Sequence, residues 1–154
     1  MKITIISIGK FDKSFYQQYF DHYKKRISWN IELIELDLKN ASNYEIEKTK
    51  ELEAKLIEKH LKNISFIIAC DEKGKEFSST ELAKTFEKIG LNGNSSIAII
   101  IGGAFGLSPI LKNKANLIIS LSKLTFPHLM VRIIVIEQIY RAFSIINNHP
   151  YHKI

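Results

Sequence analysis

Apolar residues run along the chain in two rhythms. The segments KITIISI (Lys2–Ile8), IELIELD (Ile31–Asp37), ISFIIAC (Ile64–Cys70), SIAIII (Ser96–Ile101) and NLIISLS (Asn116–Ser122) are short, almost continuous and rich in isoleucine, and read as buried strands. Between them the spacing lengthens. Asp12–Ile27 places Phe15, Tyr19, Tyr23 and Ile27 four apart, one face of a helix. Tyr44–His60 reads as a charged amphipathic helix with Ile46, Leu52, Leu56 and, just beyond it, Leu61 inward. After the turn DEKGKEF, Ser78 and Glu81 have the spacing of a capping box, and Gly90 is placed to stop the helix that they start. Strands alternating with helices predict one α/β domain over residues 1–154, with a mostly parallel sheet and helices on both faces. Ligands of such sheets sit beyond the carboxyl ends of the strands. Three segments leave those ends: Cys70-DEKGKEF, Ile101-GGAFGLSP and Ser122-KLTFPH.

The last helix, His128–Ile146, is apolar on nearly every side and is broken only by Arg132, Glu137, Gln138 and Arg141. A helix of this kind needs cover all round. It is either threaded through the core or meets a second subunit, and a homodimer is the expectation, with Ile139 a candidate for the outer face.

Charge sharpens the picture. Up to Glu87 there are 15 Lys or Arg against 15 Asp or Glu, whereas from Lys88 onward there are 7 bases against Glu137 alone, so the whole net charge of +6 lies in the C-terminal part. Such asymmetry suits a polyanion such as nucleic acid, and equally a solvated basic surface. The opening KITIISIGKFDKS is too short and too soon charged for a signal peptide, and no apolar run approaches membrane-spanning length; a cytosolic protein without membrane contact is expected. The single cysteine, Cys70, excludes an internal disulfide and is expected to be buried and inert.

The glycines of IIIGGAFGLSP raise the question of a nucleotide. Aligning a G-x-G-x-x-G pattern on Gly103 and Gly106 puts Ile101 at its first glycine, and no acid lies between Glu87 and Glu137 to hold a ribose. A pyrophosphate loop, and with it a nicotinamide-dependent oxidoreductase, is disfavoured. Taken as residues, Gly102, Gly103 and Gly106 suit a plain tight turn as well as a ligand contact.

Four stretches carry a resemblance to a known family: DEKGKEFSS (Asp71–Ser79), IGGAFGLS (Ile101–Ser108), SLSKLTFPHLMVR (Ser120–Arg132) and EQIYRAFSIINNHPYHK (Glu137–Lys153). Over nearly the whole chain the sequence resembles the large-subunit ribosomal RNA pseudouridine N3-methyltransferases, small bacterial members of the SPOUT class. The resemblance implies a C-terminal trefoil knot, a homodimer, S-adenosylmethionine as methyl donor and 23S rRNA in the assembled ribosome as substrate. It also implies a cofactor pocket made by Cys70, by Gly102 and Gly103, whose missing Cβ atoms would let main chain approach the cofactor, and by the loop Ser122, Lys123, Leu124, Thr125, Phe126 and Pro127 around the adenine. Replacing Gly103 by valine would then block the cofactor and spare the fold. Where the family pattern carries an acid just before its last glycine, this chain has Phe105, which offers neither charge nor hydrogen bond.

Arg132 reads as a snorkelling surface base or as a contact to RNA or cofactor, and the resemblance favours the active site. Glu137 and Arg141, four apart on a helix, are placed to pair with each other. His128, His149 and His152 lack the cysteine or carboxylate partners of a zinc set, so no metal is expected. In the tail, Tyr151 suits stacking on a base and His152 suits contact with its edge. Methylation of an imide nitrogen depends mainly on alignment, with a general base assisting, and His152 is the candidate for that assistance. The competing reading is a ribosome-binding or RNA-binding protein that keeps the fold without the chemistry.

Overall fold

The computed structural model describes residues 1–11 and 15–153, so the helix start expected at Asp12 lies outside the described residues. The elements are β1 (Lys2–Ile8), α1 (Phe15–Lys24), β2 (Asn30–Leu36), α2 (Ile46–Glu58), β3 (Phe66–Glu76), α3 (Ser79–Leu91), β4 (Ser96–Ile101), α4 (Pro109–Lys114), β5 (Leu117–Ser120) and α5 (His128–Ile146), with one turn of 3₁₀ helix at Ala41–Asn43. All strand pairs are parallel, in the order β2-β1-β4-β3-β5.

Period-two alternation decides which layer each strand residue joins. Ile97, Ile99 and Ile101 of β4 pack with Ile3, Ile5 and Ile68 beneath α1, α3 and α5. Ala98 and Ile100 pack with Ile6, Ile8 and Ala69 beneath α2 and α4 on the opposite face. The central strands are therefore isoleucine-rich throughout, because both of their faces are dry.

Three helices depart from the periodic reading. In α1 the inward residues are Phe20 and, more weakly, Tyr23, while Phe15 is 64% exposed and packs with the exposed Tyr19 at a ring-centroid distance of 4.5 Å. In α2 the buried stripe is Thr49, Glu53, Ala54 and Ile57, which leaves Leu52 and Leu56 half-buried and Ile46 exposed. Small Ala54 lets the helix approach the sheet, and that contact turns the larger leucines to the flanks. The third, α4, is absent from the periodic reading because a six-residue helix has no period to show; its signals are Ser108 at the N-cap, accepting a hydrogen bond from the Leu111 N–H, and Pro109 in the first turn.

The capping box of α3 forms as its spacing predicts: the Glu81 N–H donates to the Ser78 hydroxyl, and the Ser78 N–H donates to the Glu81 carboxylate. Gly90 does not stop this helix, which runs to Leu91.

The last helix has the predicted bounds, His128–Ile146. Its cover comes from within the chain, with α1 on one flank, α3 on the other and the sheet above, so of its large apolar residues Met130 alone is exposed. Ile139 is 1% exposed and belongs to the core rather than to an outer face. Among the described residues no helix is long and apolar enough to cross a membrane.

Candidate functional site

A cleft of about 470 Å³ opens at the ends of β4 and β5 and beside Cys70–Lys73 of β3. Its shape comes from a break in pairing between β3 and β5: Cys70 lies opposite Ile119, Lys75 lies opposite Ile119 again, and the residues Asp71–Gly74 are displaced between them. The three predicted segments converge here. Cys70, Gly102, Gly103, Ser122, Leu124, Thr125 and Phe126 all line the cleft, whereas Lys123 and Pro127 belong to the same loop without lining it. The Ser122 hydroxyl accepts a hydrogen bond from the Leu124 N–H at 3.0 Å and shapes that loop.

The reason for the paired glycines differs from expectation. Gly103 and Gly106 form an isolated antiparallel bridge, and the Gly106 N–H donates to the Gly103 carbonyl at 3.0 Å. A Cβ on Gly102 would lie 2.7 Å from the Gly106 carbonyl carbon, and a Cβ on Gly103 would lie 2.5 Å from Oε1 of Glu53. Gly102 is thus required by the neighbouring main chain, whereas a side chain at 103 would have to displace the Glu53 carboxylate. Valine at position 103 would strike Glu53 before it reached a ligand, so it is not a clean probe of cofactor binding.

Glu53 is the main residue that periodicity missed. It is 6% exposed, lies on the buried stripe of α2 and turns its carboxylate toward the Gly103 main chain. Burial raises its pKa, and the Gly103 N–H opposes that rise only in part. Its signal in the sequence is its place four residues from both Thr49 and Ile57, a stripe that becomes evident only once Ala54 is known to face the sheet. Phe105, which stands where the family pattern has an acid, is exposed on the cleft rim, and a carboxylate reaches the same turn from α2 instead.

Other polar groups at the cleft were not expected. Lys112 pairs with Asp71 at 3.1 Å; burial alone would raise the Asp71 pKa, but the Lys73 N–H and the Lys112 ammonium outweigh it and hold the carboxyl below its ordinary value. Lys50 and Lys73 also line the cleft, as does His128 at the start of α5, whose pKa is lowered first by burial and then by the charge of Arg132. Burial pushes the Cys70 thiol up to about 12, which makes it an inert wall rather than a nucleophile.

Arg132 is not the snorkelling surface base that one reading of the sequence allows. It is fully buried, and its guanidinium donates from Nε to the Ser7 hydroxyl at 2.7 Å, from Nη1 to Glu35 Oε1 at 2.8 Å, and from Nη2 to the Ile8 and Gly9 carbonyls at 2.6 and 2.9 Å. It also lies 4.7 Å from the Phe11 ring centroid. It is neither a surface base nor a lining residue of the cleft. It clasps α5 to the carboxyl ends of β1 and β2.

The tail residues also lie away from the cleft of their own chain. Arg141 pairs with Glu137, as their spacing predicts, and its Nη1 lies 3.2 Å from His152 Nδ1. The Tyr151 hydroxyl donates to Glu137 Oε1 at 2.9 Å, and its ring packs on Tyr140 at 4.5 Å. Arg141 is thirteen residues along α5 from His128, about 20 Å at 1.5 Å per residue. Among the described residues no group of three or more His, Cys, Asp or Glu side chains is placed to hold a metal ion.

The chain matches known proteins along its whole length. It is 46% identical to the "Ribosomal RNA large subunit methyltransferase H" of Clostridium botulinum (strain Hall), an alignment that covers 99% of this chain and 100% of the relative. Its fold is similar to that of a probable methylase family protein from Haemophilus influenzae, with a TM-score of 0.62, 16% identity, and coverage of 99% of this chain and 70% of the other. A probable methyltransferase from Bordetella pertussis gives a TM-score of 0.61 at 11% identity, covering 92% of this chain and 96% of the other. The family model described as "Predicted SPOUT methyltransferase" matches residues 1–152, and with the cleft at the ends of β4 and β5 it establishes that the chain belongs to the SPOUT methyltransferase family.

Proposed function

We propose that this protein is an S-adenosylmethionine-dependent methyltransferase acting as a homodimer on N3 of a pseudouridine in 23S rRNA of the assembled ribosome. The observation that carries the reading is the convergence of Cys70, Gly102, Gly103 and the Ser122–Phe126 loop on one cleft in a chain that is 46% identical, end to end, to a large-subunit rRNA methyltransferase.

The cleft suits the cofactor. Ile101, Leu107, Ile119 and Phe126 offer apolar wall to a purine, and the Gly102–Gly103 and Ser122–Phe126 loops offer main-chain groups to its polar edge. Bound there, S-adenosylmethionine would supply an electrophilic methyl group on a cationic sulfonium. The chain's own task is to hold the imide nitrogen in line and keep water from the reacting centre. Lys50, Lys73 and Lys112 lie at the cleft, and with the C-terminal excess of positive charge they favour the phosphates of an RNA substrate.

The homodimer is supported by the distance between tail and cleft. Tyr151 and His152 do not line the cleft of their own chain, and in a homodimer a second copy would present its tail there. Phe105 and Leu124 leave an exposed apolar rim there to receive it. The same reading includes the trefoil knot, supported by the return of α5 from the edge strand β5 to the carboxyl end of the interior strand β1, where Arg132 engages Ser7.

Mass spectrometry of large-subunit rRNA from cells with and without this protein tests the reading. The expected result is loss of one methyl group at one pseudouridine. Unchanged rRNA, with no heat of S-adenosylmethionine binding up to millimolar concentration, would favour an RNA-binding protein that has kept the fold.

A further inference from the structure

The tail cluster selects the tautomer of its imidazole. Arginine has five N–H donors and no acceptor, so its contact with His152 has one direction: Arg141 Nη1–H donates and Nδ1 of His152 accepts. A neutral imidazole carries one proton, and with Nδ1 occupied as an acceptor that proton is on Nε2. The other groups of the cluster are committed as well. Glu137 Oε1 accepts from Arg141 and from the Tyr151 hydroxyl at 2.9 Å, while Oε2 accepts from Gln138 Nε2 at 2.6 Å. Tyr151 stays protonated, because burial, its contact with Tyr23 and the Glu137 carboxylate all raise its pKa. His149 stands apart, with its ring 6.4 Å from that of Tyr140. Among the described residues Nδ1 of His152 is thus taken up as an acceptor, and its Nε2–H has no partner within the cluster of Glu137, Arg141, Tyr151 and His152.

We propose that His152 serves the reaction as a hydrogen-bond donor through Nε2–H, held in that tautomer by Arg141, and that it binds a carbonyl oxygen of the imide instead of removing the proton from its nitrogen. The role assigned to His152 rests on the reaction proposed above; the tautomer does not. When the imide N–H bond breaks, the proton passes to water and the electron pair stays on the imide, shared with the carbonyl oxygens, one of which the imidazole N–H holds. That pair then forms the bond to the methyl carbon as the methyl–sulfur pair departs with sulfur. Stabilising the charge that builds on an oxygen is work for a donor, and a proton-accepting nitrogen at the same place would oppose it. Arg141 is a positioning residue in this scheme, acting on substrate only through His152.

Long-range ¹H–¹⁵N correlation on the full chain labelled at histidine reads the tautomer directly. The wild-type ring is expected as Nε2–H at a pH where it is neutral, and Arg141→Met is expected to relax it to a mixture. A wild-type ring with its proton on Nδ1 would overturn the inference. Single-turnover methylation of ribosomes against pH supplies an independent measurement. His152→Gln, whose amide N–H can reach the place of Nε2–H, should lose less than about tenfold in rate and keep the wild-type rise with pH, whereas His152→Asn should lose about a hundredfold. Loss of that rise in His152→Gln would identify His152 as the base and overturn the proposal. A chain that shows the Nε2–H tautomer but methylates no ribosome would overturn the proposed reaction, whereas an Nδ1–H ring in an active enzyme would overturn this inference alone.

Discussion

At the scale of single residues, Arg132 shows how a polar side chain in an apolar helix acquires its role from distant sequence. Its partners Ser7, Ile8 and Gly9 lie more than 120 positions away, and no spacing rule links them to α5. Ser7 is the matching anomaly, a fully buried hydroxyl in a strand of isoleucines, on the face that α5 covers. A buried guanidinium is tolerated only when its donors are paired; removing it takes the ion pair from Glu35, which keeps the Phe11 N–H, and takes the side-chain donor from the Gly9 carbonyl. Arg132→Ala is therefore expected to destabilise the fold by about 3–5 kcal/mol in urea unfolding, from loss of the paired charge and the space it leaves. An unfolding midpoint equal to that of wild type would show that the clasp contributes nothing. Activity lost in this variant would follow from the loosened α5 and would not place Arg132 at the reacting atoms.

At the scale of elements, what the sequence discloses depends on how many faces of an element are buried. The central strands and α5 are apolar on nearly every side, so their extents are legible without knowing which way they face, and the bounds of β1, β4 and α5 agree with the apolar runs to the residue. Two of the cleft segments were legible for a related reason, because they follow the ends of β4 and β5, where a parallel sheet places its ligands; the third, expected as a turn after Cys70, is instead an interruption within β3, which runs on to Glu76. An element buried along one stripe is harder. In α2 a leucine stripe and the stripe of Thr49, Glu53 and Ile57 compete, and packing of Ala54 against the sheet selects the second, burying a carboxylate that periodicity assigns to water. That choice couples α2 to the glycine turn through Glu53 and the Gly103 N–H, and it makes stability depend on pH with a definite sign. The folded-state pKa of Glu53 lies above its ordinary 4.5, so the folded protein holds this proton more tightly than the unfolded chain, and stability falls as pH rises through that range. Glu53→Gln keeps an acceptor for Gly103 without the charge. Its stability relative to wild type should therefore increase from pH 4 to pH 7 in parallel denaturant titrations. A difference that stays constant over that range would mean that the buried carboxylate carries no such cost.

At the scale of the whole molecule, the tail residues Tyr151 and His152 do not line the cleft of their own chain, and the proposed homodimer would bring one copy's tail to the other's cleft. The cleft is lined by His128 and Val131 at the start of α5, and Arg141, which holds His152, lies ten residues or about 15 Å beyond Val131 along the same helix. The case for a second subunit does not come from uncovered apolar surface, because α1, α3 and the sheet already cover α5, and Ile139→Asp would break the core instead of an interface. It comes from separation of the parts. A site shared across a twofold interface predicts complementation: one variant has its cleft filled at the exposed Ala104, for example by Ala104→Trp, and is verified by calorimetry to be folded and unable to bind cofactor. The other variant lacks Tyr151 to Ile154 and keeps its cleft. Each homodimer should be inactive, and after random exchange half of the dimers are mixed and carry one complete site of two, so about a quarter of wild-type activity should return. Activity that returns without measurable subunit exchange would overturn the shared site. So would an inactive mixture in which native mass spectrometry shows the mixed dimer, because the one complete site it contains must then need something other than a cleft from one chain and a tail from the other.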